Sequence, residues 1–252
     1  MKTVQRQIKT TCLALASSSV LAACMGGGGG GSDTSNPTSA EIVRTGDLEA
    51  ASVSFENGMA VPTRMTVDGV SSPVLQAVAN SNIYSDGTNV FRVASGSDGV
   101  SYAIVGMSFT GEHLGSYLSG ATAAPTTGSV NHTGSYNAEL NGPFTSQFYS
   151  VTGDARVTAN FSTGTAVVAI TNRETDFDVS GYDNAQLEES LAFLGTVDAD
   201  GVIRGTQTGG DSVGATVGLV FQDGAVGTVT MEHRGAATGN RAVFENGVFA
   251  AD

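Results

Sequence analysis

The second half of this chain alternates apolar and polar residues with a period of two and reverses direction at short, regular intervals. Ala155-Arg156-Val157-Thr158-Ala159-Asn160-Phe161 alternates cleanly, turns at Ser162-Thr163-Gly164 and returns as Ala166 to Thr171. Leu191 to Val197 turns at Asp198-Ala199-Asp200-Gly201 and returns as Val202 to Thr208, and Ala215 to Phe221 turns at Asp223-Gly224 and returns as Val226 to His233. A period of two sends successive side chains to opposite faces of a strand, and turns this short join antiparallel neighbours. Gly134 to Leu140 and Gln147 to Val151 precede the series and Arg241 to Phe249 closes it, which makes eight or nine strands. The pattern predicts an all-β fold whose C-terminal part, residues 129–252, is an eight-stranded antiparallel up-and-down β-barrel, because closure removes exposed strand edges.

Residues 41–128 read as a smaller, less regular β-rich region in front of the barrel. Strand-like pieces occur at Ala51 to Phe55, Val90 to Ala94 and Tyr102 to Phe109. Val74 to Ala79 fits either a strand or one helical turn, a choice that periodicity does not make. The small, polar stretch from Gly120 to Gly128 reads as the joint between the two parts, and Gln186 to Leu191 as one short helix or an exposed loop.

Residues 1–23 have the build of an export signal. Lys2, Arg6 and Lys9 form a positive start, and the uncharged stretch from Thr10 to Ala23 follows it. That stretch is short of the roughly 20 apolar residues that a membrane-spanning helix needs. It ends in Leu21-Ala22-Ala23-Cys24, which resembles the lipobox of bacterial lipoproteins. The resemblance implies diacylglyceryl transfer to the Cys24 thiol, cleavage before Cys24 and acylation of the new amino terminus. Residues 24–40, with the run Gly26 to Gly31, then read as a flexible tether spanning roughly 20 Å. Cys12 lies inside the signal, so the exported domain is expected to fold without a disulfide.

Charge narrows the classes of partner. After Cys24 there are eight Arg and no Lys against all 24 Asp and Glu, a net charge of −16. Such a chain repels phosphate backbones and anionic lipid, so nucleic acid is not expected as a partner and membrane attachment falls to the acyl chains. Without Lys after Cys24, the exported part has no Schiff-base nucleophile and no Walker-type phosphate loop. The three histidines, His113, His132 and His233, have no second His or Cys at metal-ligand spacing, and each reads as a solvated loop or strand-end residue. Asp198-Ala199-Asp200-Gly201 lacks the spaced ligands and closing Glu of a calcium loop and reads as a hairpin turn. No catalytic residue, metal site or cofactor is expected, and the chain reads as a non-enzymatic protein.

Three stretches resemble the surface lipoproteins of the transferrin-binding protein B type. They are Thr127-Gly128 to Gly134-Ser135-Tyr136, Gly153-Asp154-Ala155 to Phe161, and Phe244-Glu245-Asn246-Gly247-Val248-Phe249-Ala250-Ala251, and their order and spacing run over about 130 residues. The resemblance implies a handle sheet (residues 41–128) followed by the barrel, in one lobe rather than two. The long charged loops that grip transferrin are missing, so single-lobe relatives, factor H-binding protein and the hemophilin-like haem carriers, match the size better. It implies an outer-membrane lipoprotein, displayed at the cell surface or facing the periplasm, that binds a protein or a small solute such as haem or another iron source. The hemophilin likeness makes His113 and His132 candidate haem ligands. Met25 after Cys24 agrees with export beyond the inner membrane, and an outer-membrane translocator or a TonB-dependent receptor would be a partner. A structural or protective surface protein is the alternative reading.

Overall fold

The computed structural model describes residues 83–85, 89–108, 113–120, 124–141, 148–176, 187–207, 212–234 and 242–252 in full, and the backbone of 40–46, 55–56, 59–60, 76–77 and 208–209. The strands are β1 (Ala40–Gly46), β2 (Phe55–Glu56), β3 (Met59–Ala60), β4 (Gln76–Ala77), β5 (Ile83–Ser85), β6 (Asn89–Ser95), β7 (Tyr102–Ser108) and β8 (His113–Gly120), then β9 (Ser129–Asn141), β10 (Tyr149–Asn160), β11 (Thr165–Thr175), β12 (Leu191–Val197), β13 (Val202–Gly209), β14 (Ser212–Phe221), β15 (Gly224–His233) and β16 (Val243–Ala251). β9 to β16 close into an antiparallel barrel in which each strand pairs with the next and β16 pairs back onto β9. Before it lies a six-stranded antiparallel sheet in the order β1-β8-β7-β6-β5-β4, and β2 pairs with β3.

The barrel interior is filled by the inward half of the alternation. Ala166, Val168 and Ile170 of β11 point in, as do Leu191, Phe193 and Val197 of β12. Tyr136, Phe193 and Phe249 are among the largest wholly buried side chains. The wall of β14 to β16 is also covered from outside, by the six-stranded sheet. Val202, Leu219, Phe221 and Val226 pack with Ala103 and Leu118, and Val248 packs with Val90, Val105 and Met107. Buried on both sides, β15 therefore carries an almost unbroken buried run where a half-exposed strand would alternate.

The structure corrects the strand count at one point. Gln147 to Val151 and Ala155 to Phe161 are not separate strands; β10 runs through Gly153-Asp154 without turning. Glycine stands there for lack of room: a Cβ on Gly153 would sit 3.0 Å from the Thr171 carbonyl oxygen and 3.3 Å from Cγ of Arg173. β1 and β8 were not anticipated. In His113-Leu114-Gly115-Ser116-Tyr117-Leu118-Ser119-Gly120 the last six residues are all buried, so burial does not follow the hydrophobic pattern. Val74 to Ala79 contains the two-residue strand Gln76–Ala77, and the Gln186 to Leu191 segment holds a single turn at 187–189 with Leu187 buried. The rest of Ala51 to Phe55, and Phe109, lie outside the described residues.

The ring of Phe249 occupies the space beside Gly227, where a Cβ would come within 2.6 Å of Phe249 Cε1 and 2.7 Å of the Val217 carbonyl oxygen. Gly227→Ala is expected to destabilise the barrel by about 1–3 kcal/mol, read as a lower urea midpoint at unchanged m-value, with part of the loss recovered in the double variant carrying Phe249→Leu.

Candidate functional site: a buried charge network at one mouth of the barrel

The two ends of the barrel differ in their connections. One end carries the short turns 161–164, 198–201 and 222–223; the other carries 142–148, 176–190, 210–211 and 234–242. Beneath the second end, five polar side chains turn inward: Tyr136 of β9, Arg173 of β11, Ser212 of β14, His233 of β15 and Glu245 of β16.

Glu245 is the hub. Its side chain is wholly buried and forms an ion pair with the Arg173 guanidinium, also wholly buried. Tyr136 donates its hydroxyl to Glu245 Oε1 at 2.7 Å, and His233 Nε2 lies 2.7 Å from Glu245 Oε2. Ser212 Oγ is 3.1 Å from His233 Nδ1, and Arg173 Nη1 donates to the Glu189 carbonyl at 2.6 Å. Burial pushes the Glu245 carboxyl up, but Arg173, with His233 and Tyr136, outweighs it and holds the carboxyl below its usual range. Burial and the neighbouring carboxylate raise the Tyr136 phenol well above its ordinary value, so it stays a donor. An ionised Glu245 accepts only, so His233 Nε2 carries a proton toward it, and in the neutral ring Nδ1 presents its lone pair to the Ser212 hydroxyl.

A bulge aims the arginine. Gly153 of β10 faces two residues of β11, Asn172 and Arg173, between the pairs Asp154–Thr171 and Thr152–Glu174. Asn172 is left-handed, with φ of 50°, and its amide donates to Asp154 Oδ2 at 2.6 Å. Even-numbered residues up to Ile170 face the interior; the extra residue moves the inward set to odd numbers and places Arg173 inside.

A second buried ion pair joins sheet to barrel. Arg92 of β6 pairs with Glu139 on the outer face of β9, both nearly inaccessible. Burial raises the Glu139 carboxyl, and Arg92 opposes that shift. Thr228 donates to Ser116 Oγ at 2.9 Å, and Ser97 donates to the Asp223 carbonyl at 3.2 Å across the same junction.

Of the residues singled out from sequence, Cys24 lies outside the described residues. His113 opens β8, is exposed, and lies 3.3 Å from Ser116 Oγ. His132 sits on β9 opposite Val157, facing the interior at 8% exposure; burial lowers its pKa against the opposing pull of Asp252 and Asp223. The two histidines are on different sheets. His233 ends its strand as expected but is buried at 1% exposure, and its partner is Glu245 across the strand pair, not its neighbour Glu232. Arg173, Tyr136, Glu245 and Ser212 were missed. A signal existed for two of them. Glu245 interrupts the inward series Val243, Gly247, Phe249 and Ala251, and Ser212 is the centre of Gly210-Asp211-Ser212-Val213-Gly214, a Gly-x-Ser-x-Gly pentapeptide.

No family model matches the chain, and no curated protein is similar to it. Solved structures are similar at low identity. A tryptophan mutant of the vaccine antigen transferrin-binding protein B from Haemophilus parasuis Hp5 matches with 12% identity and a TM-score of 0.43, over 80% of this chain and 42% of that one. A tyrosine–tryptophan double mutant of the same antigen matches with 13% identity and a TM-score of 0.44, over 83% and 44%. The chain thus spans less than half the length of these proteins.

Two outcomes follow for the network. Glu245 has a lowered pKa when folded, so its contribution to stability is present above the unfolded carboxylate range and is lost as pH falls through the folded value. The stability gap between wild type and Glu245→Gln, from urea melts at stepped pH, should therefore narrow on acidification. Asn172→Gly should leave stability near wild type, whereas Asn172→Val should cost about 1–2 kcal/mol for a branched residue in the left-handed region.

Proposed function

We propose that this chain is a lipoprotein, anchored through Cys24 to the outer membrane and displayed at the cell surface, that works as a binding protein for a protein or small solute. The leader, the Leu21-Ala22-Ala23-Cys24 sequence and the glycine tether support the anchor. The filled interior supports the mode of binding. Wholly buried Tyr136, Phe193 and Phe249 and the Glu245 network occupy the space a barrel-interior ligand would need. A ligand is therefore taken up outside the barrel interior, which the Glu245 network closes at one mouth. The three motif stretches that resemble the transferrin-binding protein B type lie on β9, β10 and β16, which are neighbours around the barrel closure. An iron source such as haem belongs to this reading; of the two candidate ligands, His113 is the one open to solvent. An outer-membrane translocator would deliver the protein to the surface, and a TonB-dependent receptor would take a small iron-bearing ligand onward.

Mass spectrometry of the chain purified from membranes should find an acylated amino-terminal Cys24, and Cys24→Ala should move the protein from the membrane to the soluble fraction. Protease added to intact cells should remove the wild-type protein; protection would place it on the periplasmic side. Haemin titration should give a shifted Soret band that His113→Ala abolishes; a band unchanged in His113→Ala and His132→Ala rejects both as ligands.

A further inference from the structure

Three residues on adjacent strands of the barrel stand in the order of a hydrolytic relay. Ser212 and His233 are directly paired across β14 and β15, and Glu245 lies two residues beyond Val243, the β16 partner of His233. All three face inward at the mouth with the longer connections. Ser212 Oγ is 3.1 Å from His233 Nδ1, and His233 Nε2 is 2.7 Å from Glu245 Oε2. Glu245 and His233 are buried, whereas Ser212 is half-buried at the rim. Independently, Ser212 is the centre of the pentapeptide Gly210-Asp211-Ser212-Val213-Gly214. In the familiar setting of that pentapeptide a helix follows the serine. Here a strand follows, so the geometry of the three side chains carries the inference and the pentapeptide accompanies it.

We propose that Ser212, His233 and Glu245 form a triad that cleaves carboxylic esters presented at this mouth, an activity beyond the binding role above. Ser212 Oγ passes its proton to His233 Nδ1 and bonds to the ester carbonyl carbon. The imidazolium then gives that proton to the leaving alkoxy oxygen as its bond to carbon breaks, and an alcohol departs. Water repeats the sequence on the acyl-serine: its proton goes to Nδ1, its oxygen bonds to the acyl carbon, and Ser212 regains its hydroxyl as the acid leaves. No electrons are transferred to or from an outside donor.

Glu245 keeps His233 in the tautomer that turns a lone pair toward Ser212 and stabilises the imidazolium by charge. Arg173 and Tyr136 act through Glu245 as positioning residues: each bonds a carboxylate oxygen and keeps the group ionised. The packed interior below leaves the acyl group no room inside, so the substrate carbonyl approaches Ser212 from the rim.

The full chain, incubated with a fluorophosphonate probe and analysed by peptide mass spectrometry, should carry one adduct, on Ser212. With p-nitrophenyl acetate it should release p-nitrophenol faster than buffer alone. Ser212→Ala removes one hydrogen bond to the buried His233 and should still unfold in one cooperative urea transition at the wild-type m-value, with a somewhat lower midpoint, while hydrolysis in buffer falls to the uncatalysed rate. His233→Gln should lower the rate by about 10²–10⁴-fold. Should His233→Gln fail to fold, Ser212→Cys decides in its place: iodoacetamide should alkylate that thiol faster than free cysteine. A probe adduct on a different serine or on none, Ser212→Ala hydrolysing at the wild-type rate, or a Ser212→Cys thiol no more reactive than free cysteine each overturns the triad. None of these results bears on the lipid at Cys24 or on ligand capture.

Discussion

Closure of the β-ring is the constraint from which the rest of this structure follows. β9 pairs on one side with its neighbour in sequence, β10, and on the other with β16, about a hundred residues later in the chain. Once that last pair forms, every barrel strand has two partners and the inward half of each alternation is sealed from water. Whatever polar group the alternation points inward must then find its partners inside. Glu245, on the closing strand, is such a group, and its neighbours across the barrel supply a guanidinium, a phenol and an imidazole.

A buried ion pair adds little net stability over well-packed apolar residues of similar volume, whereas the loss of one partner is costly. Its usefulness here lies in geometry. Arg173 and Glu245 are each wholly buried, and the left-handed Asn172 that turns Arg173 inward is itself a conformation of limited stability for a side-chain-bearing residue. A bulge, two opposed charges and a tyrosine retained together at one mouth hold His233 in a single orientation toward Ser212. The pair Arg92–Glu139 does similar work at the junction, together with the Thr228–Ser116 and Ser97–Asp223 hydrogen bonds, where apolar contact alone would tolerate sliding. A polar anchor in such a contact admits one register.

The all-β class and the up-and-down barrel were legible because they depend on local chemistry. Alternation along β11 to β14 and the Asp-Gly and Ser-Thr-Gly turns state which residues face in and where the chain reverses. The first sheet was only half legible. β6 and β7 showed as apolar runs, whereas β8, with Gly115, Ser116, Ser119 and Gly120 among its buried residues, gave no strand pattern because small polar side chains fit between two covered faces. Gly153, inside β10, has a related reason: glycine there answers to the crowding of Arg173 from the next strand, which no local pattern encodes.

By itself the sequence determined the period-two strands, the short hairpins, the acidic charge and the cysteine context, since each follows from neighbouring residues or from composition. It did not determine the network at the barrel mouth. His233 beside Glu232 in sequence suggested a solvated strand end; only the register of β15 against β16 puts Glu245 beside the imidazole, and only the one-residue bulge in β11 turns Arg173 toward both. Which side chains share a face across strands is decided by pairing register and ring closure, and those are properties of the assembled sheet.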